Sequence, residues 1–179
     1  MQNNATSSAA DTANKTNLSG LDQFLTFILG KEVYGIDILR VQEIKGWEET
    51  TTLPNTPDYV KGVINLRGVV VPIVDLRERF NLSTANYDAS TVVIIVRVNH
   101  QNLEKAIGLV VDGVSDVHDI DTGNLQPAPS FQKESIDTTY IRGLAMSGDN
   151  MVILLDVDDL INDGLLQNES NPTASLSNT

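Results

Sequence analysis

The sequence repeats itself. An offset of 81 positions carries Lys61-Gly62-Val63 onto Arg142-Gly143-Leu144, and without a gap it also brings Val71 onto Val152, Asp75 onto Asp156 and Asn81 onto Asn162. A second offset, of 73 positions, carries Gly35-Ile36 onto Gly108-Leu109 and pairs Val41 with Val114, Glu43 with Asp116 and Ile44 with Val117. The eight-position difference is an insertion in the second copy, around Asp119 to Asp137. Repetition constrains the fold because each unit must bury an apolar face that it cannot bury alone. The copies, roughly 23–81 and 91–163, hold about 60 residues each, a size that is marginal for an independent domain. Packed against each other, they would share a core and leave a groove between them suited to an elongated partner.

Within each copy the apolar runs are short, β-branched and bounded by turn residues, the pattern of strands. The expected strands are Gln23–Leu29, Glu32–Ile36, Val41–Lys45, Val63–Leu66, Val69–Val74, Thr91–Val98, Lys105–Val111, Val114–Val117, Ile141–Ala145 and Met151–Leu155. Turns fall at Gly30-Lys31, Arg67-Gly68, Asn99 to Asn102 and Gly148-Asp149-Asn150. Asp75 and Asp156 can each cap a short following helix by accepting from its free backbone N–H groups. Thr56-Pro57 predicts a third short helix that ends before Gly62. The fold class is therefore mainly β, of the barrel or sandwich kind. Residues 1–20 and 166–179, rich in Asn, Thr, Ser and Ala, read as flexible tails around a folded domain spanning 21–165.

Charge narrows the partners. The formal net charge is −12 and there is no stripe of Lys and Arg, so nucleic acid and anionic membrane surfaces are poor candidates. No apolar run is long enough to span a bilayer and the start lacks a basic, then apolar, leader, so a cytoplasmic location is expected.

Signatures of chemistry fail one by one. There is no cysteine, which removes thiolate nucleophiles and cysteine metal sites. Gly143 to Gly148 has the spacing of a phosphate loop, but Asp149-Asn150 stands where Lys and a hydroxyl residue are needed. Asp156, Asp158 and Asp159 lack the later oxygen ligands and the glycine of a calcium loop. His100 and His118 have no partners at zinc-ligand spacing. Gly113-Val114-Ser115-Asp116 ends in Val117 rather than the glycine of a nucleophile elbow. No catalytic residue, metal or cofactor is expected. Two other classes stay open at this stage: an enzyme using carboxylates in the groove between barrels, and a self-assembling structural module.

Several motifs are distinctive beyond their periodicity. They are Tyr34-Gly35-Ile36-Asp37-Ile38-Leu39-Arg40-Val41-Gln42-Glu43-Ile44 and Val60-Lys61-Gly62-Val63-Ile64-Asn65-Leu66-Arg67-Gly68, the latter followed by Val71-Pro72-Ile73-Val74-Asp75-Leu76. With Gly108 to Val117 and Pro127-Ala128-Pro129, they closely resemble the CheW family of bacterial chemotaxis coupling proteins. The resemblance covers about Leu21 to Leu165. It implies two five-stranded SH3-like β-barrels sharing a hydrophobic core, with a few short helices. It also implies a non-catalytic adaptor at membrane-associated receptor arrays. The implied partners are the regulatory domain of the histidine kinase CheA and the cytoplasmic tips of methyl-accepting chemoreceptors. Carried over by motif, partner contacts fall on Val41, Glu43, Gly62, Arg67, Val92, Gly108 and Val117, with Phe131 a further candidate for the kinase. Arg67 carries most weight, with Glu43 its candidate ion-pair partner; Val41 and Val117 would serve equally as core residues.

Overall fold

The computed structural model describes residues 20–82, 86–129 and 138–162. In chain order they form β1 (Leu21–Leu29), β2 (Glu32–Asp37), β3 (Val41–Gly46), β4 (Val60–Leu66), β5 (Val69–Asp75), α1 (Leu76–Arg79), β6 (Val92–His100), β7 (Leu103–Val111), β8 (Gly113–Asp121), β9 (Ile141–Ser147), β10 (Asn150–Leu155) and α2 (Val157–Asn162). All ten expected strands are present. Among the described residues no helix is long and apolar enough to cross a membrane. Phe131 and most of both expected tails lie outside the described residues.

The strands make two five-stranded sheets, ordered β8-β1-β2-β10-β9 and β3-β6-β7-β5-β4. Under the offsets of the repeat these are the same order. Each sheet draws on both copies: the first takes β1 and β2 from the first copy and β8 to β10 from the second, and the other sheet does the reverse. The repeat unit and the sheet are therefore different segments, and neither 23–81 nor 91–163 builds a sheet of its own. The crossing in the first copy is a 3-10 turn at Ile38–Arg40, where Asp37 Oδ1 accepts from the Leu39 N–H at 2.9 Å. Exchange answers the size problem, because each copy completes the apolar surface that the other leaves open.

Register repeats as faithfully as order. Leu154 pairs with Gly35 where parallel β10 meets β2, and Ile73 pairs with Gly108 where parallel β5 meets β7. A Cβ at Gly35 would stand 2.9 Å from Leu154 Cδ2, and one at Gly108 2.4 Å from Ile73 Cδ1, so both positions need the bare backbone. Each sheet closes into a small SH3-like barrel when the segment after its edge strand pairs across the gap. Thr51 and Val63 exchange two backbone hydrogen bonds at 2.9 Å, and Gln126 and Leu144 do so at 2.9 and 2.8 Å. Gly62 and Gly143 lie against these bridges. A Cβ at Gly62 would be 2.2 Å from the Thr51 carbonyl oxygen, and its φ of +134° is one that side chains rarely adopt.

Alternation divides the apolar residues into three cores. On β6, Val93 and Ile95 face their own barrel, while Ile94, Val96 and Val98 face a larger core shared by the sheets. The first barrel is filled by Phe24, Ile120, Ala145, Val152 and Leu154. A strand buried on both faces reads as a continuous apolar run, which is why the Val92–Val96 part of β6 shows no polar alternation, whereas exposed Arg97 and Asn99 flank buried Val98 beyond it. Asp75 caps α1 through the N–H groups of Arg77 (2.9 Å) and Glu78 (3.3 Å), and Asp156 caps α2 through those of Asp158 (2.9 Å) and Asp159 (3.0 Å). The acidic run at α2 thus does structural work, with Asp158 also paired to Arg40 at 2.6 Å. The helix expected at Thr56-Pro57 does not form. Val60 N–H bonds the Pro57 carbonyl in a turn and Tyr59 O accepts from Asp75 N–H, so the sheet claims this backbone before a helical turn can close. Gly62 lies within β4 instead of following a helix.

A candidate docking site at the Arg67 hairpin

The turn between β4 and β5 has only two central residues, Arg67 and Gly68, with φ of 51° and 86°. Positive φ at both positions matches the twist of a two-residue hairpin. Glycine takes such angles freely, whereas a side chain in the left-handed region costs about 1–2 kcal/mol. The second copy has Gly148, φ 61°, where the first has Arg67. Asn65 steadies the turn, its Oδ1 accepting from the Gly68 N–H at 2.8 Å. Arg67 thus occupies a strained position that the repeat shows to be satisfied by glycine, and its side chain is 71% exposed.

Glu43 reaches Arg67 because of a bulge. Along β3 and β6, Val41 pairs with Val96 but Glu43 with Ile95, leaving Gln42 as the extra residue. Bulges re-aim the side chains beside them. The equivalent bulge in β8 is braced by Thr26, whose hydroxyl donates to the Asp116 carbonyl at 2.9 Å and accepts from the Asp116 N–H at 3.2 Å. In the first copy the bulge turns Glu43 toward the hairpin, where its Oε2 pairs with Arg67 Nη2. β3 and β4 are the two edges of their sheet, so this ion pair spans the seam of the barrel. An exposed pair contributes only about 0.2–1 kcal/mol. Its effect is to orient the guanidinium.

The remaining sequence-derived positions do not join one patch. Val41 and Val92 are half-buried and pack on the shared core. Gly62 and Gly108 are buried at the closure and at the parallel pairing described above. Val117 is 44% exposed on β8, in the other sheet, and its counterpart Ile44 is exposed on β3. The sequence missed Val69 and Val70, which follow the turn and are largely exposed. It also missed Arg97 and Lys105, which line an open groove with Arg67. The run Val69-Val70-Val71 reads as buried strand, yet only Val71 is enclosed; Gly68 before it was the available sign of a hairpin end. Tyr87 closes the other end of this barrel, stacked on Trp47 at 4.1 Å and donating to Asp75 Oδ2 at 2.6 Å. Burial, then the bond to Asp75, raises its phenol above the ordinary value. Burial also raises the Asp159 carboxyl, aided by Asp156 and Asp158, although the residue is exposed on α2.

The family model described as CheW-like domain matches residues 23–164. The chain belongs to the CheW-like family. The chemotaxis protein CheW of Klebsiella aerogenes is 48% identical over 139 residues, covering 78% of this chain and 81% of that protein. The chemotaxis protein CheV3 of Helicobacter pylori is 26% identical and covers 87% of this chain but 51% of its own length. The crystal structure of the scaffolding protein TtCheW from Thermoanaerobacter tengcongensis matches with a TM-score of 0.69 and 33% identity, over 79% of this chain and 92% of that one. CheW-like membership, with chemotaxis relatives on both counts, assigns the chain a chemotaxis adaptor role. The two-barrel expectation drawn from the motifs holds.

Proposed function

We propose that the chain is a non-catalytic adaptor that couples the regulatory domain of the histidine kinase CheA to the cytoplasmic tips of methyl-accepting chemoreceptors. It would work in the cytoplasm, at membrane-associated receptor arrays. The reading rests on one observation above all: Arg67 is kept at a strained, solvent-facing turn and aimed by Glu43, although the fold accepts glycine there. Strain of this kind gathers at functional positions. Glu43 beside it is a contact candidate, as are Val41 and Val92 at the shared core and Val117 on the other sheet, while Gly62 and Gly108 fix the backbone within the sheet. Phe131 remains a candidate kinase contact on the strength of the family motif.

Immobilised chain should retain both CheA and a receptor tip fragment from purified solutions. Arg67→Asp should weaken retention at least tenfold while leaving the circular dichroism spectrum and thermal midpoint near those of the parent. Retention of neither partner by the parent chain would refute the proposal. Global unfolding of the variant would make Arg67 structural.

A further inference from the structure

Arg67, Arg97 and Lys105 rim one open groove beside the β4–β5 hairpin, with Leu66, Val69 and Val71 along its apolar floor. Its volume is about 270 Å³. Enclosed small-molecule sites usually run to about 300–1,000 Å³, so a shallow groove of this size fits side chains of a macromolecular partner better. Its charge sets it apart. The chain carries −12 overall and has 12 basic residues, yet three of them gather here, against Glu104 in the lining and Glu43, which pairs with Arg67 at the rim. Arg97 is held in place, its Nη2 donating to the Leu39 carbonyl at 3.3 Å and its Nη1 lying 3.9 Å from Glu104 Oε1. Arg97 and Glu104 are both well exposed and separated enough to be exchanged for a partner's charges. Leu39, beside Arg97, is exposed as well and extends the apolar surface.

We propose that this groove docks an acidic, amphipathic segment of a protein partner, with apolar side chains on Leu66 and Val69 and carboxylates on Arg97 and Lys105. The proposal rests on the adaptor reading and adds the chemistry of what is bound. Charge selects the occupant. A polyanion such as nucleic acid or an anionic membrane meets the repulsion of the whole chain, whereas a short segment senses charges within a Debye length of about 8 Å at physiological salt. Rim charges of this kind act chiefly on association and make it depend on salt.

The test uses the full chain titrated with purified CheA and with a receptor tip fragment at low and high ionic strength. Arg97→Glu/Lys105→Glu should weaken one of the two partners about tenfold or more at low salt, with an unchanged thermal midpoint. The loss should shrink at high salt, and Glu104→Lys should tighten the same partner. Arg97→Gln/Lys105→Gln, a milder change, should give an intermediate loss and guards against misfolding of the reversal variant. Unchanged binding of both partners by all three variants, while Arg67→Asp still weakens binding, would overturn the groove and leave the adaptor reading intact. Failure of the parent chain to bind either partner would overturn both.

Discussion

Arg67 occupies a backbone position that suits glycine, and that mismatch separates stability from binding. Arg67→Gly removes about 1–2 kcal/mol of strain and an ion pair contributing about 0.2–1 kcal/mol. Its denaturation midpoint should therefore stay level or rise, while retention of partners falls; a loss of stability beyond about 1 kcal/mol would contradict this accounting. Tyr87 gives a residue-scale test on the opposite side. Tyr87→Phe deletes the hydrogen bond to Asp75, which should cost about 1–3 kcal/mol in urea denaturation. Because the folded phenol titrates above the unfolded value of 10.0, its contribution is whole below that pH and is lost as pH rises through the folded value. The variant should lack that part of the alkaline decline. Arg67 was legible in the sequence because the repeat aligns it with Gly148 in a turn. The bulge at Gln42 was not, since it exists only in the pairing of β3 with β6.

At the scale of elements, the glycines that the repeat aligns have distinct duties. Gly62→Ala would place a methyl on the Thr51 carbonyl and force a side chain to φ +134°, whereas Gly143→Ala meets Leu125 Cβ at 2.9 Å without that backbone penalty. Both should destabilise, Gly62→Ala more, and thermal denaturation of the pair would show the order. Gly35→Ala and Gly108→Ala overfill equivalent barrel interiors and should each cost about 1–3 kcal/mol. The strands were readable from β-branched runs, and the helices from Asp75 and Asp156. The segment at Thr56-Pro57 misled because a proline that can open a helix also suits a turn, and only the long-range bond from Asp75 N–H to Tyr59 O decides between them. Val117 shows the same limit: without strand pairing, nothing in its neighbours tells an outward valine from a core one.

For the whole molecule, the repeat foretold two similar units and a shared core, and the family motifs two barrels, but neither showed that the copies exchange strands to build them. That exchange depends on which edge each strand finds, a property of pairing across the chain. Its consequence is that neither half holds a complete sheet. The most direct measurement is sedimentation of the purified chain with CheA and a receptor tip fragment together. The account expects a ternary species containing all three that dissolves with Arg67→Asp. Mutually exclusive binding of the two partners, or no association of either, would contradict it.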